Sequence, residues 1–181
     1  MFSRVDSLAH SLNVLTVMGS LVSLPLAAQA PSFEVAHIDL SATIEFEGSP
    51  EQVFALLEPQ GRQQRITSWS FDFLYPPSGA AEPGAVVRQV HRSGAVEQIW
   101  LLSERELPTR IKYVIFVAGM EVWEFDVRLR SSGEGKTVAS VYHRITSLAE
   151  EVNREVQAFA DGFDAYIERW RNSINSKLSE Q

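Results

Sequence analysis

The clearest pattern in the chain lies near its C-terminus, in residues 150–177, EEVNREVQAFADGFDAYIERWRNSINSK. Apolar side chains recur there every three or four residues, the spacing of one face of an α-helix. Ser147 and Glu150 are spaced as a capping box, and Gly162 indicates a bend or a close backbone approach in mid-helix. We expect a helix of about 28 residues, whose apolar stripe must be buried: Val152, Val156, Phe159, Phe163, Tyr166, Trp170 and Ile174.

The residues before this helix predict an antiparallel sheet. Apolar and polar side chains alternate from Asp39 to Phe46, as in a half-buried strand. Ser49 and Pro50 then begin a short helix, and a second helical turn is expected around residues 62–67. Further strands are predicted for 69–75, with its four aromatic residues on one face, and for 85–92, 95–102, 110–117 and 123–130. A hairpin turn is predicted at 133–135 and a last strand at 137–145. A sheet of six or seven strands curls, so the chain predicts an α+β fold in which the sheet grips the long C-terminal helix.

Three local features carry a family resemblance: the run SPEQVF at 49–54, Trp69, and Pro83-Gly84 before a strand. With the element order they resemble the START-like superfamily, also called SRPBCC, over about Asp39–Ser176. This superfamily includes Bet v 1-like proteins and the polyketide cyclase/dehydrase group. The resemblance implies the helix-grip fold, with an apolar ligand held between sheet and helix. It transfers no catalytic residue.

The N-terminus predicts export. Residues 12–26 are mostly apolar, and Ala28-Gln29-Ala30 matches the small-x-small pattern of a cleavage site. We therefore expect a cleaved signal peptide over 1–30 and a single mature domain over 31–181, located in the periplasm or secreted. The alternative is an uncleaved N-terminal helix on a cytoplasmic protein.

Composition excludes several classes of function. The net charge is −7 and the basic residues are scattered, which argues against nucleic acid. The absence of cysteine excludes disulfides and thiolate sites. The four histidines lack the spacing of metal ligands, so we predict neither a metal nor another cofactor. The apolar run at 12–26 is too short for a comfortable transmembrane helix, and no stable membrane span is expected.

Aromatic side chains are the candidates for a ligand cavity. Together with His143, they are expected to hold the helix away from the sheet and to surround a hydrophobic small molecule that is lipid-like, sterol-like or an aromatic polyketide. The predicted lining is Trp69, Phe71, Phe73, Trp100, Tyr113, Trp123, Phe125, His143, Phe159, Phe163, Tyr166 and Trp170.

Two alternatives remain open. A cyclase/dehydratase-type enzyme could act on a polyketide-like substrate in the same cavity through His143, Glu97 or Tyr113. A packed domain that works through surface contacts would instead leave no cavity of about 300 Å³ or more. His143 itself shares a strand face with Val141 and Ile145, and we expect a core histidine whose hydrogen bonds are satisfied.

Overall fold

The computed structural model describes residues 33–94 and 97–180. The predicted signal peptide lies outside these residues, as do Ala95 and Val96 of the predicted fourth strand. In chain order the elements are β1 (His37–Phe46), α1 (Pro50–Leu57), α2 (Pro59–Arg65), β2 (Trp69–Tyr75), β3 (Val86–His91), β4 (Glu97–Glu106), β5 (Arg110–Val117), β6 (Glu121–Gly133), β7 (Lys136–Ser147), a 3₁₀ turn (Glu150–Val152), α3 (Asn153–Asp161) and α4 (Phe163–Leu178).

The sheet has seven antiparallel strands in the order β1-β7-β6-β5-β4-β3-β2. Strands β2 to β7 form a continuous meander, and β1 pairs with β7, so β1 and β2 are the two edges. This arrangement confirms the predicted α+β fold, with two short helices after the first strand and the helical segment at the C-terminus.

Local sequence signals explain most element boundaries. The Ser49 hydroxyl accepts from the Gln52 amide while the Gln52 side chain accepts from the Ser49 amide, so α1 begins with the predicted capping box. The β6–β7 turn places Gly133, Glu134 and Gly135 at positive φ angles of 92°, 50° and 74°. Two glycines at such angles avoid strain, which confirms the predicted hairpin.

The C-terminal helix differs from the predicted single helix. It divides at Gly162, where φ is −94° and ψ is 6°. A Cβ built on Gly162 would meet nothing nearer than the Ala158 carbonyl oxygen at 3.4 Å, so the glycine marks a bend and not a close approach to another element. The capping box predicted for Ser147 and Glu150 is wrong. Ser147 is the last residue of β7, and its hydroxyl accepts from the Ala36 amide and donates to Asn153 Oδ1.

Strand β2 also departs from its predicted pattern. Trp69, Phe71 and Phe73 are half-buried, but Tyr75 is exposed. The pairing of β2 with β3 shifts register between Phe73 and Tyr75, and this bulge turns the last aromatic out of the row. The expectation of four aromatics on one face is therefore wrong for Tyr75.

The core lies between the inner face of the sheet and the helices α1 and α4. Helix α1 buries Val53, Phe54, Leu56 and Leu57, while α4 buries Trp170, Ile174 and Leu178. The Trp170 ring packs edge-on against Phe46 at a centroid distance of 5.7 Å. These side chains fill the space under the sheet beside α1 and the second half of α4.

Candidate functional site

A cavity of about 220 Å³ lies between the inner face of the sheet, α2 and α4. Its buried floor consists of Arg62, Gln89, Trp100, Ile115, Phe125 and His143. Its half-exposed rim consists of Ile66, Trp69, Gln98, Trp123 and Tyr166. Most of the wall is therefore aromatic or aliphatic, and its polar groups are few.

The structure places six of the twelve predicted residues in this lining: Trp69, Trp100, Trp123, Phe125, His143 and Tyr166. The other six are not part of it. Tyr113 lies beneath Trp100 with ring centroids 5.3 Å apart. Phe71 and Phe73 border an open groove beside α2. Phe159 and Phe163 pack against the His143 ring, and Trp170 packs against Phe46 and Phe125.

Arg62 is the main residue that sequence reasoning missed. Its side chain is buried, and its Nε and Nη1 have no hydrogen-bond partner among the described residues. The guanidinium carbon lies 4.2 Å from the centroid of the Trp100 ring and 5.4 Å from that of Phe125. Burial lowers the pKa of Arg62 from its usual value, opposed by Tyr166 and Tyr113. No carboxylate within residues 33–94 and 97–180 forms an ion pair with it.

Close packing of α2 on α1 turns Arg62 inward. Gly61 abuts the end of α1, where a Cβ would overlap the Ala55 carbonyl oxygen and lie 2.6 Å from Leu56 Cα. Any side chain at position 61 would push α2 away from α1. The glycine thus permits the approach that places the next residue, Arg62, in the interior.

Gln63 anchors the same helix to the edge strand β2. Its Nε2 donates to the Trp69 carbonyl oxygen at 3.2 Å, and its Oε1 accepts from the Phe71 amide at 2.9 Å. The side-chain amide therefore satisfies backbone groups at a strand edge that pairs with no further strand among the described residues. These two bonds fix the Trp69 side of the cavity rim relative to α2.

A second arginine lies beside the first. Arg65 donates from Nε to the Leu56 carbonyl oxygen at 3.2 Å and from Nη1 to Ser173 Oγ at 3.5 Å. Burial, followed by the nearby Arg62 charge, lowers the pKa of Arg65 to about 9. Two cations are thus held close together in one region, with no acidic partner among the described residues.

His143 is enclosed by aromatic rings. Its ring centroid lies between 4.8 and 5.9 Å from those of Trp123, Phe125, Phe159, Phe163 and Tyr166. Neither ring nitrogen has a hydrogen-bond partner within the described part of the chain. Burial, followed by the charge of Arg62, lowers the pKa of His143 to about 3. The expected core histidine with satisfied hydrogen bonds is therefore wrong, and the imidazole is neutral at pH values near 7.

The remaining polar groups differ in how firmly they are held. Gln98 Oε1 accepts from Trp100 Nε1 at 3.0 Å, which fixes both side chains. Gln89, directly across the strand pair from Gln98, is buried and its Oε1 is unpaired. Tyr166 also lines the cavity, and burial raises the pKa of its hydroxyl. Gln89 and Tyr166 therefore present polar groups to a guest.

The three residues of the enzyme alternative, His143, Glu97 and Tyr113, do not lie in one site. Glu97 is exposed at the start of β4 and is not part of the cavity lining. The Tyr113 hydroxyl donates to the Leu57 carbonyl oxygen at 3.3 Å, burial raises its pKa, and the residue is outside the cavity lining. Only His143 of the three faces the cavity, and its lowered pKa makes it a weak base.

Other surface features are less suited to a ligand. A wider depression of about 670 Å³ lies on the opposite face of the sheet, lined by Ser41, Ala42, Thr43, Asp126, Arg128, Ser140, Val141 and Tyr142. It is open and contains none of the buried unpaired side-chain groups. The described residues include no cluster of three metal-ligating side chains. None of the described helices is both long and apolar enough to cross a membrane.

The curved antiparallel sheet, the short helices α1 and α2, and the C-terminal helices over an interior cavity define the helix-grip fold. Solved structures share it. A START superfamily protein from Mycobacterium smegmatis superposes with a TM-score of 0.63 at 13% identity, over 80% of this chain and 99% of that one. Truncated norcoclaurine synthase from Thalictrum flavum gives 0.62 at 8% identity, over 84% and 99%. Ara h 8.0201 gives 0.55 at 16% identity, over 82% and 100%.

These similarities confirm the START-like resemblance at the level of the fold. Identities of 8–16% do not transfer a ligand or an activity. No family model matches the chain, and no curated protein matches it in sequence.

Proposed function

We propose that this protein binds a small, mainly apolar molecule in the cavity between the sheet and the helices. The observation that carries the proposal is the aromatic wall around that space. Trp69, Trp100 and Trp123, three of the four tryptophans, line it together with Phe125 and Ile115. Large rigid rings around a preformed space are typical of sites that take an apolar guest.

The cavity volume limits the size of this guest. A cavity of about 150 Å³ accommodates benzene, whereas drug-sized sites begin near 300 Å³. The 220 Å³ available here suits a molecule of one ring with a short substituent, or of two small rings. Long-chain lipids and sterols need more space, so the aromatic class is the best supported of the predicted ligands.

The packed-domain alternative predicts no cavity above about 300 Å³, and the volume agrees with it. It leaves the polar groups unexplained. Buried polar groups in folded proteins are nearly always hydrogen-bonded. Yet Arg62, Gln89 and His143 have atoms in the floor of the cavity without a partner among the described residues. A small ligand accounts for both the volume and these atoms. We do not propose a cyclase/dehydratase, since Glu97 and Tyr113 lie outside the cavity.

The cellular site of binding is proposed from the sequence. A signal peptide over 1–30 would deliver the domain 31–181 to the periplasm or to the exterior. The function would then be binding or carriage of the ligand outside the cytoplasm. The intact mass of protein expressed with its own N-terminus tests this, because an unprocessed chain beginning at Met1 contradicts export.

The binding proposal is tested with indole, a neutral aromatic probe that fits the volume. We expect saturable changes in the NMR signals of the Ile115 methyl groups during an indole titration. In an Ile115→Phe variant the larger side chain occupies the cavity, and the indole effect should weaken at least about tenfold.

Val114→Phe is the matched control. Val114 immediately precedes Ile115, and its side chain lies on the opposite face of β5. The same substitution there leaves the cavity unchanged. Equal indole binding by the Ile115 and Val114 variants would contradict the proposal, as would a wild-type titration that does not saturate.

A further inference from the structure

We propose that the ligand is a small aromatic acid whose carboxylate binds Arg62 while its ring lies among Trp100, Trp123 and Phe125. This inference rests on the proposed function and specifies its ligand class. It follows from the unpaired buried cation, from the charge of the lining, and from the space that remains for a ring.

Arg62 lacks the partner that a buried guanidinium ordinarily has. Its contacts with Trp100 and Phe125 are to ring faces, which stabilise a cation without satisfying its N–H groups. Nε and Nη1 remain unpaired within the described residues. The guanidinium presents its donors as a planar fork that matches the two oxygens of a carboxylate. A carboxylate of the ligand would therefore supply the hydrogen-bond acceptors that the Arg62 guanidinium lacks.

The charge of the surroundings favours the same group. None of the eleven lining residues is Asp or Glu, and Arg65 adds a second cation close to Arg62. The nearest acid of the same helix pair, Glu58, is already bonded to Arg105 at 2.7 Å. Glu121 neighbours Trp123 but is not in the lining. This positive site occurs in a chain of net charge −7, so it does not reflect a generally basic surface.

The other unpaired groups suit an aromatic acid. A carboxylate against Arg62 leaves room in about 220 Å³ for one aromatic ring on a short linker. Neutral His143 retains one N–H, which can donate to a ligand oxygen, and Arg62 is close enough to depress its pKa. Gln89 and Tyr166 offer amide and hydroxyl groups for a polar substituent on the ring.

Cinnamate and its neutral isostere cinnamamide provide the test, with the full chain and with affinities measured by calorimetry. They have the same shape and differ in the group that faces the arginine. For the wild-type protein we expect cinnamate to bind at least about tenfold more tightly than cinnamamide, the range for hydrogen bonds to a charged group. In Arg62→Met this ratio should fall to about one, because the new side chain is unbranched and apolar and carries no charge.

Arg128→Met is the control with the same change in net charge. Arg128 is exposed on the outer face of the sheet, with its Nη2 3.6 Å from Asp126 Oδ2. Its cinnamate-to-cinnamamide ratio should equal that of the wild-type protein. Urea unfolding of Arg62→Met checks that the variant folds.

Each outcome bears on one of the two proposals. Equal affinity for cinnamate and cinnamamide in a protein that binds indole overturns the aromatic-acid inference and leaves the binding proposal intact. If the wild-type protein binds indole but neither cinnamate nor cinnamamide, the aromatic-acid inference is likewise overturned and the binding proposal is intact. A carboxylate preference that persists in Arg62→Met places the anion elsewhere and overturns the inference. Absence of indole binding as well removes the proposed function itself.

Discussion

The imidazole of His143 should make the stability of the protein depend on pH. Burial, then the charge of Arg62, lowers the pKa of His143 from 6.5 to about 3. In the unfolded chain it titrates with its ordinary pKa, so between these values the unfolded state binds more protons than the folded state. The free energy of unfolding therefore falls as pH decreases through about 6.5, and this contribution levels off below about pH 3.

The size of the effect follows from the same two pKa values. At about pH 5 the unfolded histidine is protonated and the folded one is not, over about 1.5 pH units. Each unit corresponds to about 1.36 kcal/mol, so the protein should be about 2 kcal/mol less stable at about pH 5 than near pH 7.5 through this group alone. Arg62 from α2 is the charged group that faces the ring, and Tyr166 from α4 contributes a neutral hydroxyl.

Comparison with His143→Leu isolates this contribution. Urea unfolding of both proteins at about pH 7.5 and about pH 5 gives four free energies of unfolding. Carboxylates such as Glu121, whose pKa burial raises, titrate alike in both proteins and cancel in the double difference. We expect that difference to be about 2 kcal/mol. A value below about 0.5 kcal/mol would refute the reasoning, because it would mean that folded His143 accepts a proton readily.

Two further predictions concern α2. Arg62→Met removes a buried cation without an ionic partner, and we expect urea unfolding to show a protein as stable as the wild type or more stable by about 1–3 kcal/mol. A loss of more than about 1 kcal/mol would instead indicate that Arg62 stabilises the fold. Gly61→Ala would overlap the Ala55 carbonyl oxygen, and we expect it to destabilise the protein by about 2 kcal/mol or more and to weaken indole binding as α2 shifts. Unchanged unfolding and unchanged indole binding would contradict the close packing of α2 on α1.

Periodic patterns in the sequence predicted the fold because they report burial directly. The stripe that ends in Trp170 and Ile174 requires a partner surface. The inner face of the sheet supplies it, where Trp170 packs against Phe46 and Phe125. Capping boxes were predicted less reliably than the buried stripes, since one of the two predicted boxes does not form. Ser49 forms its predicted box because it lies beyond the end of β1 at Phe46, whereas the Ser147 backbone is held in β7 and its hydroxyl is bonded to other partners.

The candidate site was harder to predict, since residue type does not separate a cavity wall from a core. Trp100 and Tyr113 are neighbouring aromatic rings, yet one lines the cavity and the other is packed beneath it. Arg62 lies in the polar segment PQGRQQR at 59–65, which has no apolar periodicity and resembles an exposed turn. Its burial depends on the contact between Gly61 and α1, and such a tertiary contact leaves no periodic signal.

Burial of one aromatic ring in this cavity cannot by itself give tight binding, and the polar groups of the lining would supply the additional affinity. A single aromatic ring buries about 200 Å² and gains about 5 kcal/mol at 25 cal/mol per Å². Losses of translational and rotational freedom offset part of this gain, so ring burial alone predicts dissociation constants on the order of 1 mM. A charge-assisted pair with Arg62 would strengthen binding while also relieving an unpaired buried cation. The destabilisation predicted for Arg62 and His143 and the selectivity they would confer on a ligand thus have the same physical origin. A desolvated donor without a partner binds its acceptor more strongly than a hydrated donor does.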